Sequence, residues 1–553
     1  MNESFEKRLF LAFLISSIFI LISYYFLPKP ALQVKQQAGQ VAEEKKSSFL
    51  IEDFIFKTNV IAMTNRIQTE NMAIDIDTFG GRIVDTYING KWNQTKKPIK
   101  LYWQTNPFKS GDLFFGPLEL QKIYSIRSFY DVEEKTERKI VLATKLNYKG
   151  KSFILRKSYE ILDDYQLKLE VFLENTDKVD LELNFDGKAF SIPYTFGFNS
   201  EEEQNSGNII QAEYFNKKIQ KVLKGGLFKK RPHLEEIFSP DWMAVYNNHF
   251  IVIINPLFTN YTSKFLLENE KKLYSEIVMA TELPAITLKP GEKVSFKTFL
   301  YIGPKSERIL SKIDKTYRKI FAWPLAFNWF MKPIEWGMYY IAHIIAGLVK
   351  SWGLTIILLA LVIKLMLSPL SVQAAISIKK SNMLQPKLKK LQEKYGDDPK
   401  LLNQKVAELY KKEKVNPLGG CLPLLLQFPV FFVLYRVLSS SVELKGSQFL
   451  WIKDLTLPDT LFKININIPF IPSSFNLLPL IMTVVQIFQM KIQSMRNPAA
   501  KEQQLINTYL LPIFFLFIFW NMPSGLVLYW TVQNVFSIIE QEIINYIKIE
   551  QSA

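Results

Sequence analysis

The sequence predicts a multi-span α-helical membrane protein with a large extracytoplasmic antiparallel β-sandwich domain and a cytoplasmic helical hairpin. Three observations predict it. In a chain of 553 residues, the long apolar segments are confined to the first 30 and the last 230 residues. Between them, residues 49–304 read as short alternating runs broken by turn residues, as in Met72-Ala73-Ile74-Asp75-Ile76-Asp77 followed by Gly80-Gly81. Such a pattern over this length suits one sizeable antiparallel sandwich. Lastly, residues 371–418 hold eleven lysines against three in residues 439–474, which puts the first segment in the cytoplasm and the second outside.

Taken in order, residues 1–27 are a transmembrane anchor. Lys7 and Arg8 precede the apolar run Leu9–Leu27, which is longer than a signal-peptide core and ends in Pro28-Lys29-Pro30 without a small-residue cleavage pattern. The basic residues keep the N-terminus cytoplasmic and send the chain beyond the anchor outside. Residues 28–48 are polar and rich in Gln, Lys and Glu, a flexible linker. The sandwich of residues 49–304 shows no nucleophile–base pair, phosphate loop or ligand cluster, and its scattered carboxylates read as surface solvation.

Residues 305–349 turn helical and amphipathic. Ile309, Ile313, Tyr317 and Ile320 share a face, and Trp323, Trp329, Phe330, Trp336, Tyr339 and Tyr340 crowd the next twenty or so positions. Aromatics with apolar bodies and polar tips belong at a membrane interface, so Phe330–Val349 is expected to lie on the outer surface. A transmembrane alternative is weakened by Lys332, Pro333, Glu335 and His343. Residues 350–370 form the first long apolar span of the C-terminal region, interrupted by Lys364. In residues 371–418, Leu384, Leu388, Leu391 and Tyr395 fall at coiled-coil spacing, Gly396 to Pro399 make a turn, and Leu402, Val406 and Leu409 resume the stripe. This pattern predicts two antiparallel helices with basic outer faces. Further spans are expected at 419–438, 475–490, 505–522 and 523–545, joined by an outer loop at 439–474 and an inner one at 491–504. Residues 546–553 are a cytoplasmic tail.

A lysine within a membrane helix costs about 2.5–3.5 kcal/mol on insertion scales, so Lys364 either snorkels to the nearer interface or faces a wet cavity. Gln427, Gln486, Gln489, Thr531, Gln533 and Asn534 also lie inside spans. Each alone reads as a helix–helix hydrogen bond; together with Lys364 they favour a hydrophilic cavity. Glu540 and Glu542 lie near the cytoplasmic end of the last span, so no carboxylate is expected at the depth of Lys364, and water is its expected partner. Greasy faces stand opposite: Leu424, Leu425, Phe428, Phe431 and Phe432 on one span, Phe514, Phe515, Phe517 and Phe519 on another. Lipid contact explains these equally well.

Several classes are disfavoured. The single cysteine, Cys421, forms no intrachain disulfide, and His233, His249 and His343 make no metal-binding pattern. No metal and no cofactor are expected. The net charge of +16 comes from dispersed lysines without a nucleic-acid motif. Ser524 has no base on a neighbouring span and reads as a turn after Pro523, so no enzyme is expected. A small-molecule or ion transporter using Lys364 is the alternative, disfavoured by the lack of an internal repeat. A scaffold for other membrane complexes leaves Lys364 unexplained.

Three stretches carry a resemblance: Lys414-Val415-Asn416-Pro417-Leu418-Gly419-Gly420-Cys421 with Pro423 and Gln427-Phe428-Pro429, the hairpin text from Leu384-Gln385-Pro386 to Gly396-Asp397-Asp398, and Pro523-Ser524-Gly525-Leu526-Val527-Leu528-Tyr529-Trp530. They resemble the YidC-type membrane protein insertases, and Gly80-Gly81 and Ile302-Gly303-Pro304 are similar to the Gram-negative form with a large periplasmic domain. The resemblance implies an inner-membrane protein whose five C-terminal spans enclose a hydrophilic groove open to cytoplasm and lipid. A basic residue lies inside that groove. It is commonly Arg, and Lys364 stands at the matching position, keeping the charge and losing the bidentate fork. An aromatic pair that touches substrate matches Tyr529 and Trp530, the second more often Tyr in the family. The implied partners are nascent membrane proteins, the lipid bilayer, the ribosome and the Sec translocon.

Overall fold

A computed structural model describes residues 62–90, 98–101, 113–115, 128–163, 165–195, 211–221, 234–267, 277–323, 325–396, 398–413, 422–463, 474–496 and 506–550. The expected anchor at 1–27 and linker at 28–48 lie outside these residues. The chain divides into two compact units. One contains residues 49–224, 230–366 and 428–553, and the other is formed chiefly by residues 367–427.

Alternation in residues 64–304 becomes three antiparallel sheets in the first unit. The four-stranded one runs β1 (Thr64–Gln68), β2 (Met72–Asp77), β3 (Arg82–Ile88), β4 (Ile99–Leu101). Among the later strands are β5 (Gln166–Asn175), β6 (Leu181–Thr195), β7 (Ile277–Leu288) and β8 (Lys293–Pro304). β6 and β7 pair within a five-stranded sheet, while β5 and β8 pair within a nine-stranded one. Phe190 of β6 packs edge-on against Phe296 of β8 at 5.4 Å, and the Tyr194 hydroxyl reaches Thr298 at 3.3 Å, so the two sheets face each other. Ile74, Ile251, Phe265 and Met279 join them in one buried core. A sandwich of this kind follows from period-two alternation: one row of each strand is apolar and must be covered. The Gly80-Gly81 turn has left-handed φ at both residues, and Tyr159 donates to the Gly81 carbonyl at 2.6 Å while buried Lys157 donates to that of Gly80 at 2.7 Å.

The sandwich hands over to helices through α1 (Glu307–Ile313) and a 3-10 turn (Lys315–Phe321), both seated on its core by Leu310, Tyr317 and Phe321. The Trp242 indole donates to Thr316 at 2.9 Å across the same joint. Next comes α2 (Leu325–Val349), starting five residues before the expected Phe330. Its polar residues are all engaged on the protein side. Lys332 pairs with Glu307 at 2.6 Å, Glu335 accepts from the Trp323 indole at 2.7 Å, and His343 lies 3.4 Å from Glu443. Trp329, Trp336, Tyr340, Ile344 and Leu348 are left exposed, which gives the helix one apolar face.

The remaining helices are α3 (Trp352–Met383), α4 (Gln385–Tyr395), α5 (Pro399–Lys412), α6 (Leu422–Ser440), α7 (Leu477–Arg496), α8 (Leu511–Phe519) and α9 (Ser524–Glu550). α3 does not stop near Leu370. It carries Pro369 inside and continues to Met383, because residues 372–383 contain neither Gly nor Pro to end it. α4 and α5 form the expected pair of short helices. Asp398 caps α5 by accepting from the Lys400 and Leu401 amides, and Lys387 meets Glu413 at 2.6 Å, so the two run antiparallel. α9 likewise runs through residues 546–550, which the sequence places in a tail.

Among the described residues, one helical stretch, Trp352–Ala374, is long and apolar enough by itself to cross a membrane. Pro429–Ser440, Leu477–Gln493 and Thr508–Phe519 are apolar but shorter.

Candidate functional site

The site is built where α3 meets α9. Gln533 on α9 donates its amide to the Ala360 carbonyl at 3.0 Å and to the Tyr529 hydroxyl at 3.0 Å. One turn along both helices, the Lys364 ammonium donates to the Ser537 hydroxyl at 2.8 Å and lies 2.8 Å from Oε2 of Glu540. The contacts advance together from Ala360 to Lys364 and from Gln533 to Glu540, so the two helices run parallel. Tyr529, Gln533, Ser537 and Glu540 lie at i, i+4, i+8 and i+11, which puts them on one face of α9.

The ion pair corrects the expectation that Lys364 has no carboxylate partner. Gln533 and Ala360 stand at matching depth. Glu540 is seven residues past Gln533, about 10 Å, and Lys364 four past Ala360, about 6 Å. The flexible lysine stem covers that difference. Lys364 therefore neither snorkels alone nor relies on water alone: its side chain and that of Glu540 are each 16% exposed.

Gln486, Gln489, Thr531, Gln533 and Asn534 are all buried. Thr531 returns its hydroxyl to the Val527 carbonyl at 2.8 Å. Gln486 Oε1, Gln489 Oε1, Asn534 Nδ2, Trp530 Nε1, Thr508 Oγ1, Glu540 Oε1 and Gln541 Oε1 are buried without a hydrogen-bond partner among the described residues. Gln427 is half-buried on α6, in the residues assigned to the other unit. The polar atoms thus concentrate on α7 and α9 in addition to Lys364. Groups of this kind retain a demand for hydrogen bonds that an apolar core cannot meet.

Tyr529 is completely buried and Trp530 half-buried. Trp530 sits at 5.5 Å from Phe431, 5.7 Å from Phe515 and 5.3 Å from Phe519, a cluster that ties α6, α8 and α9 together. Phe432 and Phe517 are exposed, while Phe514 is half-buried and 6.0 Å from Phe515. The side chains of Leu424, Leu425 and Phe428 lie outside the described residues. Of the apolar residues grouped in sequence, Phe431 and Phe515 serve the cluster and Phe432 and Phe517 face outward. Sequence reasoning missed Ser537 and Glu540. The signal that could have found them is the i, i+4, i+8, i+11 stripe on the last helix.

No group of three or more His, Cys, Asp or Glu that could hold a metal occurs among the described residues.

A β-rich domain followed by a helical region in which Lys364 pairs with Glu540 across two parallel helices matches a class of inner-membrane proteins. The family described as YidC periplasmic domain matches residues 64–337, and the one described as 60Kd inner membrane protein matches residues 344–551. The membrane protein insertase YidC of Chlorobaculum tepidum is 34% identical over 69% of this chain and 63% of its own length. That of Chlorobaculum parvum is 31% identical over 88% of this chain and 82% of its own. A crystal structure of an active YidC insertase with its first transmembrane domain resolved aligns over 88% of this chain and 93% of that one, at 17% identity and a TM-score of 0.35. The chain belongs to the YidC-type membrane protein insertase family.

Proposed function

We propose that this protein inserts nascent membrane proteins into the inner membrane through a hydrophilic groove between α3, α6, α7, α8 and α9, with Lys364 as the cationic reception point. One observation carries the reading: a largely buried ammonium on α3, 16% exposed, meets α9, which together with α7 bears buried amide and indole groups that have no hydrogen-bond partner among the described residues. Within hydrocarbon such groups are tolerated where they meet water or a polar ligand. A polar segment arriving from the cytoplasm then crosses only part of the ~30 Å apolar layer before it is hydrated and hydrogen-bonded. An acidic residue in that segment is drawn to Lys364. The substrate's apolar helix leaves along outward-facing side chains such as Phe432 and Phe517, driven by partition into lipid without nucleotide hydrolysis.

In this reading α3, α6, α7, α8 and α9 all span the membrane. α8 is lengthened by the π-helical turn Ile506–Leu510 before it, and short helices are accommodated by local thinning. The sandwich and the Val442–Leu444 loop are periplasmic, α2 lies on the outer leaflet, and α4 and α5 form a cytoplasmic hairpin that receives substrate or ribosome. The protein acts alone or with the Sec translocon. Both termini are cytoplasmic.

The test is a depletion strain rescued by Lys364→Arg, Lys364→Ala or Lys364→Glu, scored by protease accessibility of a short membrane protein with an acidic outer tail. Arg is expected to insert it, Ala to be impaired and Glu to be worst, since Glu places a second carboxylate beside Glu540. Equal insertion by all three overturns the role given to Lys364.

A further inference from the structure

We propose that Glu540 is a built-in competitor for the Lys364 site: its carboxylate occupies the position that an acidic residue of an inserting segment must take, and so sets which segments are accepted. The inference rests on the groove reading above.

Lys364 has two partners of different character. Ser537 accepts from it at 2.8 Å and itself donates to the Gln533 backbone carbonyl at 2.8 Å, so its hydroxyl is tied to the helix. Glu540 engages Lys364 through Oε2 alone, and its Oε1 is buried with no hydrogen-bond partner among the described residues. A carboxylate has acceptor sites on both oxygens, so Glu540 is incompletely satisfied where it rests. Its side chain has three rotatable bonds, while Ser537 keeps the ammonium in place when Glu540 swings away. Ser537 is therefore the fixed partner and Glu540 the exchangeable one.

An incoming carboxylate replaces like with like. The ion pair broken and the ion pair formed have the same chemistry, and the displaced Glu540 carboxylate turns to the water that its 16% exposure at rest already admits, so the exchange reverses when the segment leaves. A neutral tail has nothing to offer Lys364 and leaves the resting pair intact. The residue thus raises the threshold for acidic segments, which must displace it, while a neutral tail that makes no use of Lys364 is unaffected by it. Specificity of this kind arises from a repulsive or competing element as much as from the attractive one.

The experiment uses the full-length protein in membrane vesicles and two single-span substrates differing by Asp or Asn in the translocated tail. The readout is the ratio of protease-protected Asp substrate to Asn substrate. Glu540→Gln is expected to raise that ratio by roughly fivefold, the scale of one partly exposed ion pair. A ratio that stays constant or falls, including a parallel loss of both substrates, makes Glu540 a structural partner of Lys364 and overturns the proposal. Because Glu540→Gln removes a part-buried pair, the exchange Lys364→Glu with Glu540→Lys is tested beside it, with a Lys-tailed substrate added. It keeps the pair and is expected to reverse the preference toward the Lys tail; persistence of the Asp preference also overturns the proposal. Lys364→Gln separates this failure from that of the groove reading. If it leaves the wild-type Asp preference untouched, Lys364 does not receive substrate at all, whatever Glu540 does.

Discussion

The imidazole of His343 lies 3.4 Å from the carboxylate of Glu443, joining α2 to the short helical turn Val442–Leu444. His343 Nδ1 is 2.9 Å from the Tyr339 carbonyl, and the Tyr339 hydroxyl donates to the same Glu443 oxygen at 3.1 Å. Burial alone pushes the imidazole down, but the bond and charge of Glu443, with the Tyr339 carbonyl, raise it above its ordinary 6.5. Glu443 is held below its ordinary value despite burial, because His343 and Tyr339 donate to it. The group has a raised folded-state value, so its contribution is complete below about pH 6.5 and is lost as pH rises through the folded value. Thermal unfolding in detergent is expected to show wild type ahead of His343→Gln by about 1 kcal/mol at pH 6, with the gap closing toward pH 9. A gap that widens with pH contradicts this ion pair.

Gly353 in the first turn of α3 packs directly under the Phe449 ring, and a Cβ there collides with the ring carbons. Phe449 cannot retreat freely, because its backbone exchanges two 2.9 Å hydrogen bonds with Ile452. Gly353→Ala is expected to destabilise the protein by about 1–3 kcal/mol, the cost of overpacking. Adding Phe449→Ala to it should recover part of the loss. Thermal melts of the two single variants and the double give the coupling, and strictly additive losses exclude the contact.

Lys264 in the sandwich sits between two carboxylates of unequal burial: Glu282, fully buried, at 2.9 Å and Glu236, half-exposed, at 3.0 Å. Removing Glu236 by Ala should cost under about 1 kcal/mol, as at a wet surface. Glu282→Ala should cost about 3 kcal/mol, because it strips the buried partner from a nearly buried ammonium. Hydrogen exchange along Ile277–Leu288 measures both. Equal losses mean that burial does not set the strength of this triad.

The division of labour along the chain was legible in its residues. Alternation produced the sandwich, whose strands cover 64–304 with gaps in the described residues, because a period of two admits one buried face per strand. The polar residues Lys332, Glu335 and His343 within an aromatic stretch marked α2 as two-faced, and the structure pairs all three on one side. Gly396 to Pro399 placed the turn between α4 and α5. The motifs around Gly419 and Tyr529 were specific enough to indicate the family, to which the chain belongs by identity with its relatives.

Tertiary structure alone decided who meets whom inside the helical region. Hydropathy ranks residues by depth along their own helix and is blind to the offset between two helices. Lys364 and Glu540 lie at different depths along their own helices, and they meet because α3 and α9 run parallel and a lysine side chain bridges the remaining offset. The same blindness hid the cluster of Phe431, Phe515 and Phe519 around Trp530, since lipid contact and helix packing select the same apolar residues. Charge and periodicity fix what a residue needs; only the packing of helices distant in the chain fixes which neighbour supplies it.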